Sequence, residues 1–182
     1  MNLTDYTTLM ARYNAWMNEN LYALVRAMPA EVVHQDRGAF FGSIFRTLDH
    51  IASADVIWLK RFSAALGAPG TLAEIAAYPD AQSLDTPMTG SIEELCKLRP
   101  VIDGAIEAWT ATLDEHVLSA AISFRRLNGE RYTKLLFPLL MHFFNHQTHH
   151  RGQVTTLFTQ AGVDVGVTDL AVLVPDAIPA TG

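Results

Sequence analysis

Leu9, Tyr13, Trp16, Met17, Leu21, Leu24, Val25 and Met28 recur at three- and four-residue steps, with Asn14, Asn18, Glu19 and Arg26 falling mostly between them. At 3.6 residues per turn that spacing gathers the apolar side chains into one stripe. It predicts an amphipathic helix over about residues 4–28, ended by Pro29. Such a stripe must be covered by another element, and the rest of the chain supplies candidates.

A loop containing Gln35, Asp36, Arg37 and Gly38 comes next. Ser43, after Gly42, is the expected N-cap of a second helix. Ile44, Thr47, Leu48, Ile51, Ala54, Asp55, Trp58 and Phe62 carry its period, and Gly67 and Pro69 stop it. Residues 67–90 read as a long connection with one short helix near Leu72–Ala77. Ser91 and Glu94 form a capping-box pair for a third helix to about Leu113, with Pro100 inside it as a potential kink. Asn128-Gly129 between short runs signals a two-residue hairpin. A fourth helix is expected from about Thr133 to Ala161, with Pro138 near its first turn and Gly162 just past its end. The segment 163–182 reads as an extended strap. Four long helices with one long crossover predict an all-α four-helix bundle, with a short β-hairpin before the last helix and an extended C-terminal tail. The 182 residues suit one domain, its core in residues 4–162.

Composition narrows the function. The formal net charge of −6 opposes a nucleic-acid-binding surface. Cys96 is the single cysteine, so an intramolecular disulfide and a Cys-x-x-Cys site are excluded. The N-terminus lacks the basic and apolar regions of a secretory signal. The greasiest stretch, Leu135–Phe144, is interrupted by Pro138 and His142 and falls short of the roughly 20 residues a membrane span needs. A cytoplasmic protein is expected. No Ser-His-Asp arrangement or phosphate-cradling glycine loop is readable.

The chemistry concentrates in the fourth helix. His142, His146, His149 and His150 fall within nine residues. At about 100° per residue, His142 and His150 lie about 40° to either side of His146, and His149 about 60° off on the His142 side. Leu139, Gln153 and Leu157 share the face. Imidazoles crowded on an apolar face repel when protonated and leave polar atoms to satisfy when neutral. A divalent ion removes both problems, and an His-x-x-x-His pair can aim two ring nitrogens at one ion. His50, on the core-forming second helix, is the third candidate. Spacing alone leaves the choice among the four fourth-helix histidines open. Gln153 can orient a ligand or a water. Asp55 reads as a pocket residue or as half of a salt bridge with Arg61 or Arg12. Asp49 reads as a solvent-facing or ligand-supporting group. Arg151 and Gly152 read as structural, through an ion pair and close helix packing.

The run Asn145-His-Gln-Thr-His-His-Arg-Gly-Gln153, followed by Ala161-Gly162, resembles the signature of the DinB superfamily, the DinB/YfiT-like metalloenzymes. Phe41-Gly-Ser-Ile-Phe-Arg-Thr-Leu-Asp-His50, with Ala54-Asp55 and Trp58-Leu-Lys-Arg-Phe62, is similar to that family's second helix, and Ala11-Arg-Tyr-Asn-Ala-Trp-Met-Asn18 to its first. The resemblance spans Leu9 to Gly162 and leaves out Gly67–Gly90 and the tail. It implies an up-down-down-up bundle, often a homodimer, with a metal held by His50, His146 and His150. His142 and His149 then become flanking residues. The implied ion is divalent, zinc or nickel ahead of iron or manganese.

Three protein nitrogens leave coordination positions open, which is the arrangement of catalytic sites. Superfamily members include transferases and isomerases that use low-molecular-weight thiols, so the resemblance implies a small-molecule substrate and a thiol cosubstrate. The competing reading is a non-catalytic dimer that binds metal or a small ligand, because no general base is legible. A di-iron carboxylate bundle fails: its Glu-x-x-His spacing occurs only at Glu31–His34, just past Pro29.

Overall fold

The computed structural model describes residues 2–79, 86–126 and 128–176. It is mostly helical, with one antiparallel hairpin. The helices are α1 (Leu3–Arg26), α2 (Ala30–His34), α3 (Ile44–Ala65), α4 (Ala73–Ala76), α5 (Ile92–Thr110), α6 (Glu115–Leu118) and α7 (Leu136–Gln160). Strands β1 (Ala121–Arg125) and β2 (Arg131–Leu135) stand between α6 and α7. The long helices pack pairwise, α1 on α5 and on α7, α3 on α5 and on α7. One continuous cluster of buried side chains, including Leu21, Leu48, Phe62, Trp109, Phe143 and Phe158, joins all four.

Capping chemistry sets the helix starts. Asn2 accepts from the Asp5 amide while the Asp5 carboxylate accepts from the Asn2 amide, a reciprocal cap the sequence reading missed. Ser43 caps α3 as expected, through the Arg46 amide. Ser91 caps α5 through the Glu94 amide, but the Glu94 carboxylate accepts from Gly90 N rather than from Ser91, so the expected box is only half formed. Pro100 lies inside α5, where its missing N–H leaves the Cys96 carbonyl without its helical donor. The Arg26 guanidinium donates to that carbonyl at 3.2 Å, tying the end of α1 to the weak point of α5.

Several boundaries differ from expectation. Two short helices lie in segments without a helical period: α2, with Pro29 at its N-cap position, and α6. Helices of four or five residues do not complete enough turns to show a period. Helix α7 begins at Leu136, three residues later than expected, because Thr133–Leu135 pair with Ala121–Ser123 in the ladder. Pro138 is therefore the third helical residue, where its amide would have no intrahelical partner anyway. The hairpin connection is longer than two residues: Arg126 N donates to Glu130 O and Gly129 N to Arg126 O. Gly129 takes φ +84°, the left-handed residue that closes a three-residue loop. Leu127 lies outside the described residues. The tail runs irregularly over 163–169 and then makes a single 3-10 turn, Leu170–Leu173. It is tied to α1 by the Tyr13 hydroxyl, which donates to Thr168 O at 2.7 Å. The end of the expected strap, 177–182, lies outside the described residues.

Candidate metal centre

His50 is buried on α3, and His146 and His150 are half-buried one turn apart on α7. Each offers one ring nitrogen, and the three nitrogens lie within 4.8 Å of one another. The Nε2 atoms of His146 and His150 are 3.1 Å apart. Two nitrogens on one tetrahedral zinc would be about 3.3 Å apart, given bonds of about 2.05 Å. The cluster has the donor set and the spacing to hold a metal ion.

The protonation states suit that role. Burial, and then the charges of His150, His50, His142 and His149, lower the His146 pKa to about 3. His146 is therefore neutral at pH 7, as a ligand must be. Burial also lowers the pKa of His150. Gln153 Oε1 lies 2.7 Å from His150 Nδ1. An amide oxygen only accepts, so Nδ1 carries the proton and Nε2 keeps its lone pair toward His146.

Phe41 roofs the cluster. Its ring stacks on His50 at 4.0 Å and meets His150 edge-on at 5.4 Å. A tight turn holds it there: Gly42 N donates to Ala39 O, and Gly42 adopts φ +78°, which a larger residue resists. Phe41 had no assigned role in the sequence reading. Two adjacent aromatics in a loop, Phe40 and Phe41, carry no period that would mark either.

Of the other predicted residues, His142 and His149 flank the cluster, while Asp55 turns away from it. His142 lies at the surface, edge-on to Trp58 at 5.3 Å and 6.1 Å from the His146 ring. His149 is exposed and meets the His150 ring edge-on at 4.8 Å. Asp55 faces the core instead of the histidines. It pairs with Arg99 at 2.6 Å, not with Arg61 or Arg12, and accepts from Gln147 at 2.8 Å. Asp49 is buried, not solvent-facing. It accepts from the Met88 and Thr89 amides and the Thr89 hydroxyl, pinning the end of the long connection beside His50. Arg151 donates to the neutral Asn14 side chain instead of making an ion pair. Gly152 does not mediate close packing, since a Cβ there would meet open space.

A buried polar network fixes the helices that carry the site. Arg99 on α5 holds Asp103 through two bonds, at 3.0 and 2.7 Å, as well as Asp55 on α3. Asn14 and Asn18 on α1 donate to Asp103, and Gln147 and Arg151 on α7 complete the set. The Gln147–Asp55 bond links α7 to α3 one residue from His146 and five from His50. The register that brings the three histidines together is thus locked by the core beneath them.

Protein DinB of Bacillus subtilis (strain 168) is 24% identical over 168 residues, covering 92% of each chain. No solved structure matches. The DinB family model matches residues 1–177, including the connection and most of the tail that the motif resemblance left out. The chain belongs to the DinB family.

Proposed function

We propose that this protein is a divalent-metal-dependent enzyme acting on a small molecule, with a low-molecular-weight thiol as cosubstrate, in a transferase or isomerase reaction. The observation that carries the reading is the convergence of three ring nitrogens from two helices, one of them with its tautomer fixed by Gln153. His50, His146 and His150 would hold the ion, zinc or nickel before iron or manganese. A bound ion with three protein ligands supplies an open Lewis-acid position that polarises a carbonyl or lowers the pKa of a thiol. The chain's own part is to keep two imidazoles neutral, aim their lone pairs, and shield one side of the cluster with Phe41. A cavity of about 290 Å³ beside Gln153, lined by Phe41, Thr47 and Leu157, gives a small substrate room.

The reading takes the four long helices as one up-down-down-up bundle, a single domain, dimeric and cytoplasmic. Their pairwise packing supports the bundle. Among the described residues no helix is long and apolar enough to cross a membrane.

Elemental analysis of untagged protein is the direct test, with about one equivalent of metal per chain expected. Turnover of thiol with electrophilic substrates, abolished by a chelator, would establish the enzyme. The second reading, a non-catalytic binding dimer, is favoured by the absence of a carboxylate from the metal-competent group among the described residues. Saturable thiol binding without turnover would decide for it.

Gln153→Leu should weaken metal binding by about 10- to 100-fold, the usual effect of removing a ligand's orienting partner. Gln153→Glu keeps an acceptor and should retain most of the affinity. Competition against a chromophoric chelator measures both. A Leu variant that binds like wild type would remove the orienting role.

A further inference from the structure

A basic groove between α3 and the hairpin is left unused by the histidine site. It encloses about 720 Å³ and is lined by Lys60, Arg61, Arg125, Arg126 and Arg131, with Phe124 among the apolar residues and no carboxylate among the described residues that line it. In a chain of net charge −6 such a gathering is against the average. Lys60 donates to Tyr78 O and Arg125 to Gly129 O, which leaves an anion to Arg61, Arg126 and Arg131. Arg61 lies 4.9 Å from the Trp58 ring centre and 5.5 Å from that of Phe124, and Arg126 lies 4.4 Å from that of Tyr132. Aromatic faces orient guanidinium planes without neutralising them. Glu130 feels the Arg126 charge but accepts from the Tyr132 hydroxyl and does not line the groove. Burial, and then the Arg126 charge, both act against the charged form of Arg61. A bound anion would relieve both.

A second cavity, of about 340 Å³, lies between the groove and His142: it shares Arg61, Phe124 and Arg126 with the groove and adds Trp58, Lys134 and His142. The His142 ring is 6.1 Å from that of His146. On α3, Arg61 is eleven residues beyond His50, about 16 Å along the axis and only about 20° around it. One face of one helix therefore carries a metal-competent imidazole at one end and, at the other, a cation with no carboxylate partner among the described residues.

We infer that this groove is an oxyanion-binding subsite, formed by Arg61, Arg126 and Arg131, for the carboxylate or phosphate end of an elongated small molecule whose other end reaches the histidine cluster. The far end rests on the function proposed above; binding of the anion does not. The test is calorimetry on the metal-stripped full chain at constant ionic strength, with tricarballylate as the carboxylate probe and inorganic phosphate as the phosphate probe. Saturable binding of one or both is expected, and the tighter of the two identifies the group. Arg126→Gln with Arg131→Gln, both on the exposed hairpin, should weaken it about tenfold or more, as expected for lost charge-assisted bonds. His146→Ala should leave it unchanged, so a failed metal assignment and a failed subsite give different results. Absence of saturable binding by either probe, an affinity unmoved by the arginine substitutions, or tighter binding of a single-stranded oligonucleotide than of either probe would overturn the inference.

Discussion

His146→Ala should lower affinity for a divalent ion by more than about a hundredfold, since even loss of a ligand's hydrogen-bond partner is worth 10- to 100-fold. His146 belongs to the proposed set, with its Nε2 3.1 Å from His150 Nε2 and its ring 5.3 Å from that of His50. Its alanine variant leaves nitrogens from two helices with no third to close the site. His50→Ala should act as strongly, whereas His142→Ala and His149→Ala should not, because neither belongs to the convergent group. The four variants separate ligation from a general effect of removing imidazoles. The protein should still fold without His146, because that ring is half-buried and the bonds locking α7 come from Gln147 and Arg151. Circular dichroism checks the fold, and competition with a chromophoric chelator reads the affinity. Equal affinity in the His146 and His142 variants would refute the ligand assignment.

The long helices were legible because their apolar residues repeat over many turns, and the Ser43 cap and the hairpin because their signals are local. The histidine cluster was legible for a similar reason, since His146 and His150 are one turn apart on one helix. His50 was weaker on its own, and the family resemblance supplied its weight. What stayed hidden depends on pairing across the chain. Asp55 was read as half of a salt bridge, but its partner Arg99 lies 44 residues away and no local pattern selects it over Arg61. One signal was available and overlooked: Arg99 and Asp103 sit four residues apart among Leu95, Ile102 and Ile106, charges inside an apolar stripe. A charge there asks for a partner on each neighbouring helix. Gln147 was masked by the histidines around it, although its side chain is fully buried.

Arg99→Met should destabilise the protein by about 3–5 kcal/mol, the cost of breaking a buried ion pair from one side. Arg99 is almost completely buried, and its two carboxylate partners raise its pKa from the ordinary value, so it stays charged at any pH at which the protein is folded. Removing it strands Asp55 and Asp103 together in the core, hydrogen-bonded to the amides of Gln147, Asn14 and Asn18 and with Arg151 as the nearby cation. In a chain of this length the loss corresponds to a fall in Tm of roughly 10 °C. The triple variant Arg99→Met, Asp55→Asn, Asp103→Asn removes the stranded charges and should recover much of the stability, because a buried ion pair replaced by neutral groups is often close to isoenergetic. What it should not recover fully is metal affinity. Asp55 and Gln147 set the register of α3 against α7, and the neutral amide introduced by Asp55→Asn holds Gln147 through a weaker bond than the carboxylate does. Thermal unfolding and metal competition on wild type and the two variants therefore separate two roles of one network. A single variant that loses less than about 1 kcal/mol would show that water or side-chain rearrangement compensates the carboxylates, and that the network does not hold the site in place.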